Sequence, residues 1–486
     1  MVGFKNTRLS GAIMVNWHNN DISTLAADLP GGTTPWLVQL RAQQWQRFLS
    51  NGLPTRQHEA WKYTDIKSFG LLDLSAVTRD ITPMASTDSS ASGHELVRPE
   101  QAVESSTTQP QLVKPKNAMN VSTIEQDLIR SEKTVDAIHL TFVDGQLVEY
   151  PTDLPPGVVI CDLRSALVSH PEAVQRGFAE HQESAAGMVN LNTSLWQNGL
   201  FISLADNVSL ERPIMVRYTT AIAASVKLNV LRNMIFVGKN SELTLFQDFS
   251  SDNTLGYWQQ VINQIDLAEH AKLNHFKCQN EGEQATHLSE NLIQQAACSI
   301  INSTSFALGA KLQREAWQVN LCGREARCEC RGLVIANNTQ HSDFHVTMNH
   351  NAPACHSEQI FKAIATDKSR TVFNGKVIVQ PTGQQTEAHQ LSQNLLLSAL
   401  AEIDTRPELE IYTDDVKCSH GASVGQLDPD ALFYLQSRGI SEVQANEMLL
   451  HAFAQDQLAE SLPLFQQLIA PIIDKKLALI NGGQRP

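Results

Sequence analysis

The sequence predicts a mainly β protein with helical regions at both ends, and three observations carry that expectation. Between residues 151 and 427, short runs of alternating polarity recur: NMIFVG, SELTLFQD, AKLNHFKC, GLVIANN, DFHVTMNH, NGKVIVQP and PELEIYTDD. Gly, Asn, Asp or Pro often separate them, as strand boundaries require. Long helical patterns are few in that stretch and are clear near the two ends of the chain. The 486 residues, 42% hydrophobic and 18% charged, suffice for a large core. Leu243 and Leu245 oppose Glu242 and Thr244, and Leu409 and Ile411 oppose Glu408 and Glu410. That pattern predicts strands with one buried and one polar face. The turns come at irregular intervals and no clean repeat is visible, so alternation alone leaves a sandwich, a barrel and a solenoid open.

Taken in order, residues 34–49 (TPWLVQLRAQQWQRFL) place Trp36, Leu37, Leu40, Trp45 and Phe48 at helical spacing. GLPTRQHEAWKYTDI (52–66) then forms a Gly/Pro turn and a short aromatic segment. Residues of about 79–123 are rich in Ser, Thr and Pro and lack aromatics, which reads as a flexible linker or inserted loop. In IHLTFVDGQLVEY, Asp144-Gly145 between apolar alternations predicts a tight hairpin. After Leu427 the texture becomes helical. Asp428 is an N-cap, Pro429 sits at N1, and Gly439 supplies the stop. Ser441 with Gln444 forms a capping box for a second helix, and Pro463 starts a third. The third carries an apolar stripe, Leu464/Phe465, Leu468/Ile469 and Ile472/Ile473, with Pro471 as a candidate kink. The stripe is expected to pack against the β domain or against another protein. The expected organisation is a mostly helical region over 1–150, a β core over 151–427 and a helical domain over 428–486.

The net charge of −14 argues against a general nucleic-acid or anionic-membrane binder. No apolar run approaches the roughly 18 residues of a membrane span, and the first twenty residues lack the signature of a signal peptide. The expected location is cytoplasmic. The eight cysteines, 161, 278, 298, 322, 328, 330, 355 and 418, contain no CxxC pair and are expected to be free thiols.

Four stretches hold candidate chemistry. In VKCSH, an extended backbone places Val416, Cys418 and His420 on one face, with Lys417 and Ser419 on the other. A neighbouring imidazolium and Lys417 would lower the Cys418 thiol pKa. The alternative is a buried strand-end cysteine beside a satisfied histidine, and two ligands do not complete a cluster site. Gly421-Ala-Ser423-Val-Gly425 matches the nucleophile elbow of serine hydrolases, but the next helix starts only at Asp428 and the only later histidine is His451, within a helix. His341, Asp343 and His345 share the polar face of a strand and form a candidate metal-hydrolase site, against the reading of a solvated polar face. Cys328 and Cys330 share a strand face and read as packing rather than ligands. No P-loop, GxGxxG or HExxH motif occurs.

KCSHGASVGQLDPDALFYLQSRGI resembles the C-terminal signature of the SufB/SufD family of the SUF iron–sulfur cluster assembly system, in its SufD form. The resemblance extends through residues 392–422, VFNGKVIVQP (372–381), LNTSLWQNGLFISLADNVSLERPI (191–214) and GLPTRQHEAWKYTDI. SufB-like chains carry a glutamate-containing EHEA-type segment in place of KCSHGASVGQLD. The resemblance implies a right-handed parallel β-helix flanked by helical regions. It implies a non-catalytic scaffold subunit, not a stand-alone enzyme, which pairs with SufB through its β-helix and binds the ATPase SufC through its C-terminal helices. It places His420, with Cys418 beside it, at the SufB interface. It assigns SufC binding to the segment holding Asp428, Leu432, Phe433, Tyr434, Leu435, Arg438, Gly439 and Ile440. No firmly bound cofactor is expected of the isolated chain, only a transient iron–sulfur cluster within the complex. Homodimers of the isolated chain are compatible with this reading.

Overall fold

The computed structural model describes residues 29–66, 136–151, 153–180, 187–220, 227–251, 256–459 and 461–482. The Ser/Thr/Pro-rich stretch near 79–123 lies outside them. The β region winds into a parallel solenoid of two facing sheets. The first sheet contains β1 (Ile138–Val143), β2 (Gln146–Glu149), β5 (Ile214–Thr219), β7 (Glu242–Ser250), β9 (Lys272–Asn280), β11 (Ile300–Ala307), β13 (Arg327–Ala336), β15 (His356–Ala365), β17 (Thr386–Leu396) and β19 (Val416–Gly425). The second contains β3 (Val158–Asp162), β4 (Leu200–Leu204), β6 (Lys227–Val237), β8 (Tyr257–Leu267), β10 (Thr286–Gln295), β12 (Leu312–Leu321), β14 (His341–His350), β16 (Arg370–Val379) and β18 (Glu402–Ile411). From β4 and β5 onward the chain alternates between the sheets, and every strand pairs in parallel with the strand two positions on. Of the three β architectures left open by alternation, this is the solenoid. The β1–β2 hairpin forms as its turn predicts, with Asp144 and Gly145 at φ 50° and 76°.

The repeat is regular in space but masked in sequence. The turns leading from the second sheet to the first place Asn240, His270, Cys298, Glu325, Ala354 and Gln385 at positive φ, between 51° and 61°. Glycine is the expected occupant of that conformation, and none of these is glycine. The usual turn signal is therefore absent from the positions that define each rung.

Side chains from both sheets meet in the solenoid interior, including Leu243, Leu245, Ile265, Leu273, Ile293, Ile301, Val319, Val346 and Val377. Helices cover both outer faces. On the second sheet lie α1 (Pro35–Asn51), α2 (Leu163–Ser169), α3 (Pro171–Glu180) and α4 (Gly187–Leu195). The predicted apolar positions Leu37, Leu40, Trp45 and Phe48 of α1 are buried there. On the first sheet, α6 (Glu442–Ala459) and α7 (Pro463–Gly482) pack over Phe246, Phe276, Phe306, Leu333 and Ile335. The Phe465 ring lies 4.3 Å from Phe276 and 5.0 Å from Phe246. Central strands of the first sheet are thus buried on both faces. The expectation of one polar face fails there because a second layer occupies the outer side.

The interior also holds polar ladders. Asn233 donates to Asn263 and Asn263 to Asn291 on successive rungs, each at 2.8 Å. Lys277 and Glu315, both fully buried, form an ion pair at 2.9 Å. Burial pushes the imidazoles of His275, His341 and His350 down to about 4. Their unfolded value is 6.5, so between pH 6.5 and 4 the unfolded chain binds more protons than the folded one. Stability is therefore expected to fall as pH drops through that window, by about 2 kcal/mol per histidine between pH 7 and 5. Urea midpoints measured at the two pH values check this; equal midpoints would contradict it.

Candidate functional site

The last rung of the solenoid is open. Strands β18 and β19 close their respective sheets, and their outer edges carry no partner strand among the described residues. Large apolar side chains are exposed around this end: Leu391, Ile411, Tyr412 and Val424. An apolar rim around unpaired strand edges invites a covering surface.

His420 and Cys418 stand on β19 at this end. Their register partners on β17 are Gln390 and Ala388, which are buried and lie in the inward-facing columns. His420 continues the column but is exposed, because no further rung stacks on it. Cys418 is half-buried against the interior core. Burial pushes its thiol up, opposite to the expectation of an activated thiolate. Lys417 does not reach it: its Nζ lies on the opposite face, 2.7 Å from Glu387. On that outer face the Ser419 hydroxyl lies 2.8 Å from His389 Nδ1, and the His356 and His389 rings are 6.2 Å apart.

The second surface is α5 (Pro429–Ser437) with the start of α6. Asp428 caps α5 by accepting from the Asp430 N–H at 3.0 Å, and Gly439 ends it at φ 85°. Ser441 and Gln444 form the predicted reciprocal cap. No side chain of α5 is buried. Leu432, Leu435 and Ile440 are half-buried, whereas Phe433 is 72% and Tyr434 57% exposed. Arg438 stacks on the Tyr434 ring at 5.1 Å. Beside it, Ile440, Gln444, Glu447, Met448, His451, Ala452 and Gln455 line a shallow groove. The stripe of α7, by contrast, is spent on the fold: Phe465, Ile469 and Ile473 are buried against the first sheet. Of its two expected roles it takes the internal one.

The rival sites resolve differently. His341, Asp343 and His345 are not a solvated face. The segment after α1 lies across them, with the Thr64 hydroxyl 2.8 Å from His341 Nε2 and donating to Asp343. Arg314 reaches Asp343 at 3.2 Å, donates to the Ala60 carbonyl and stacks on Trp61 at 4.1 Å. His345 Nε2 lies 3.1 Å from the other Asp343 oxygen. Burial opposes ionisation of Asp343, but the His345 and Arg314 side chains beside it outweigh it and hold the carboxyl well below its usual range. Its ligand positions are taken up in fastening the EAWKYT segment, which the sequence did not reveal because Thr64 and Asp343 are remote in the chain. Among the described residues no three His, Cys, Asp or Glu side chains converge to hold a metal. Ser423 lies inside β19 rather than at a strand–helix elbow, and His451 sits on α6, 3.4 Å from Asp474. No described helix is long and apolar enough to cross a membrane.

These features define a class: a helix-flanked parallel β-solenoid whose accessible chemistry lies at an open end, beside an exposed helical appendage. Residues 220–453 match the family model described as SUF system FeS cluster assembly, SufBD core domain, and residues 134–216 match the SufBD protein N-terminal region. The iron-sulfur cluster assembly protein SufD of Escherichia coli (strain K12) is 31% identical over 452 residues, which are 91% of this chain and 93% of that one. The iron-sulfur cluster assembly SufBD family protein slr0076 of Synechocystis sp. is 30% identical over 64% of this chain and 70% of its own. The iron-sulfur cluster assembly protein SufD of Bacillus subtilis (strain 168) is 24% identical over 66% of this chain and 74% of its own. The chain belongs to the SufBD family, and these relatives support a role in iron–sulfur cluster assembly.

Proposed function

We propose that the protein is a non-catalytic scaffold subunit of a cytoplasmic SUF complex. It pairs with a SufB subunit through the open end of the solenoid and carries the SufC ATPase on its C-terminal helices. The observation that carries this reading is the unfinished last rung: two strand edges without a partner among the described residues, an apolar rim and an exposed His420 at one place. A sister solenoid seated there would continue both sheets and bring its own side chains to the His420 imidazole. An imidazole at such a junction can ligate iron or accept a proton while a cluster is built between subunits. Cys418 is half-buried behind it and acts, on this reading, as a packing neighbour. ATP hydrolysis belongs to the partner, which agrees with the lack of a phosphate-binding loop in this sequence.

Co-expression with SufB and SufC tests the reading through complex mass and iron and sulfide content. His420→Ala removes an exposed side chain, so the melting temperature is expected to stay within about 1 °C, since such surface changes are worth under ~0.5 kcal/mol. Cluster content of the assembled complex should fall several-fold. A normal cluster yield from the mutant complex would remove His420 from the mechanism.

A further inference from the structure

The Cys328–Cys330 pair belongs to neither surface, and its surroundings are unusual for packing. Both residues face the solenoid interior on β13, are 0% and 1% exposed, and hold their sulfurs 3.7 Å apart. A tetrahedral zinc-class ion with Zn–S bonds of ~2.3 Å spans two sulfurs about 3.8 Å apart. Neither thiol is tied up in a disulfide. Oxygen donors flank the pair on the neighbouring rungs. Ser303 is the register partner of Cys330 on β11, while Ser357 and Gln359 are the partners of Cys328 and Cys330 on β15.

The second observation is a column of unpartnered amides. Cys330, Gln359, Gln390 and His420 occupy one register position on four successive rungs. Both amide atoms of Gln359, and both of Gln390, are buried without a hydrogen-bond partner among the described residues. Each such atom left dry costs about 1–3 kcal/mol. Four in consecutive layers require bound water or a ligand. Gly375 faces the Phe373 ring and Gln359 Oε1, which a Cβ there would approach to 2.7 and 2.8 Å. The parallel column is small as well: Ser357, then Ala388, then Cys418. The column runs from the thiol pair to the open end, about 14 Å at the usual strand spacing.

We propose that Cys328 and Cys330 form a two-thiolate site for one thiophilic dication of the zinc and cadmium class, reached through the hydrated column that opens at His420. On binding, two S–H bonds are replaced by two S–metal bonds, and two protons leave along the column. The two thiolates cancel the charge of the dication, so the apolar interior receives a neutral unit. The remaining coordination positions go to water or to the neutral amide oxygen of Gln359, since the Ser303 hydroxyl is held 2.9 Å from His275 Nδ1. Both thiols must lose their protons on binding, so affinity rises with pH.

The test is titration of the full-length reduced chain with Cd2+ alone, in a Cys322→Ser background that removes the exposed thiol. One Cd2+ per chain is expected, with an ultraviolet thiolate-to-cadmium charge-transfer band. The band should be lost in Cys328→Ser/Cys330→Ser and kept in Cys418→Ser. Gln390→Leu should slow filling by roughly tenfold or more without changing stoichiometry, since it replaces a polar rung by an apolar one. If the double variant does not fold, Cys328→Ala alone must weaken binding by about tenfold or more. Absence of the band in the Cys322→Ser parent, its persistence in the double variant, or its loss in Cys418→Ser alone would each overturn the site.

Discussion

Replacement of Lys277 by methionine is expected to lower the unfolding free energy by about 3 kcal/mol at pH 7. The Lys277 ammonium lies 2.9 Å from Glu315 Oε2 and 2.7 Å from the Ser289 hydroxyl, and both charged side chains are fully buried. Burial alone would raise the Glu315 pKa. The Lys277 charge, its hydrogen bond and that of Ser305 outweigh this and hold the carboxyl below its usual value. Without Lys277 the carboxylate is stranded, although Ser305 and Asn291 still donate to it at 2.9 and 3.0 Å. The buried acid then takes up a proton, and raising a carboxyl from its ordinary value of 4.5 to neutrality at pH 7 costs about 3.4 kcal/mol. That protonation limits the damage and gives it a sign. In the variant, the folded state binds more protons than the unfolded one between pH 4.5 and 7. The deficit should therefore grow as pH rises through that window. Lys277→Met/Glu315→Gln should recover most of the loss, because the amide keeps the neighbouring donors satisfied without a buried charge. Urea unfolding of the two variants at pH 5 and 7 checks both statements. A deficit that is independent of pH would show that the pair matters through packing instead.

The second large effect is expected on α5. Phe433 and Tyr434 project from a helix with no buried side chain, which is a costly arrangement unless a partner covers it. Exposed aromatics of this kind are where binding energy concentrates, at about 2 kcal/mol or more each. If α5 carries the proposed SufC contact, Phe433→Ala/Tyr434→Ala weakens SufC binding by roughly thirtyfold or more. The melting temperature should stay nearly constant, because neither ring contributes to the cores. Calorimetric titration of the ATPase onto wild type and variant decides the matter. Unchanged affinity would move the docking surface to the α6 groove lined by Glu447, Met448 and His451.

Several local features were legible because they depend on neighbours in sequence. The Asp144-Gly145 hairpin, the Asp428 cap, the Gly439 stop and the Ser441–Gln444 box form where residue types require them. The buried face of α1 follows the 3.6-residue spacing of Leu37, Leu40, Trp45 and Phe48. The alternation of Leu243 and Leu245 marked an inward face correctly. It gave no warning that Phe246 and Phe276, on the opposite face, lie beneath Phe465. The His341–Asp343–His345 face was legible as a cluster, but its role was not. Thr64 and Arg314, which close it, are set by docking of a distant segment. For Cys418 and His420 the alternation of VKCSH was right, but the expected thiol activation was not. The charge of Lys417 is directed to Glu387 across the strand, while Cys418 turns toward the core.

The strand-rich centre, the helical ends and the family signature around KCSHGASVGQLD are written in the local residue order. These follow from periodicity, caps and residue identity, which act over a few positions. That the strands stack as a solenoid, that its last rung is left open at His420, and that Cys328, Gln359 and Gln390 share one interior emerges in three dimensions alone. The reason is that parallel pairing joins residues a whole rung apart, through backbone hydrogen bonds that carry no side-chain signature. The turns that set that spacing are held by asparagine, histidine, cysteine, glutamate, alanine and glutamine in a conformation that residue type does not announce.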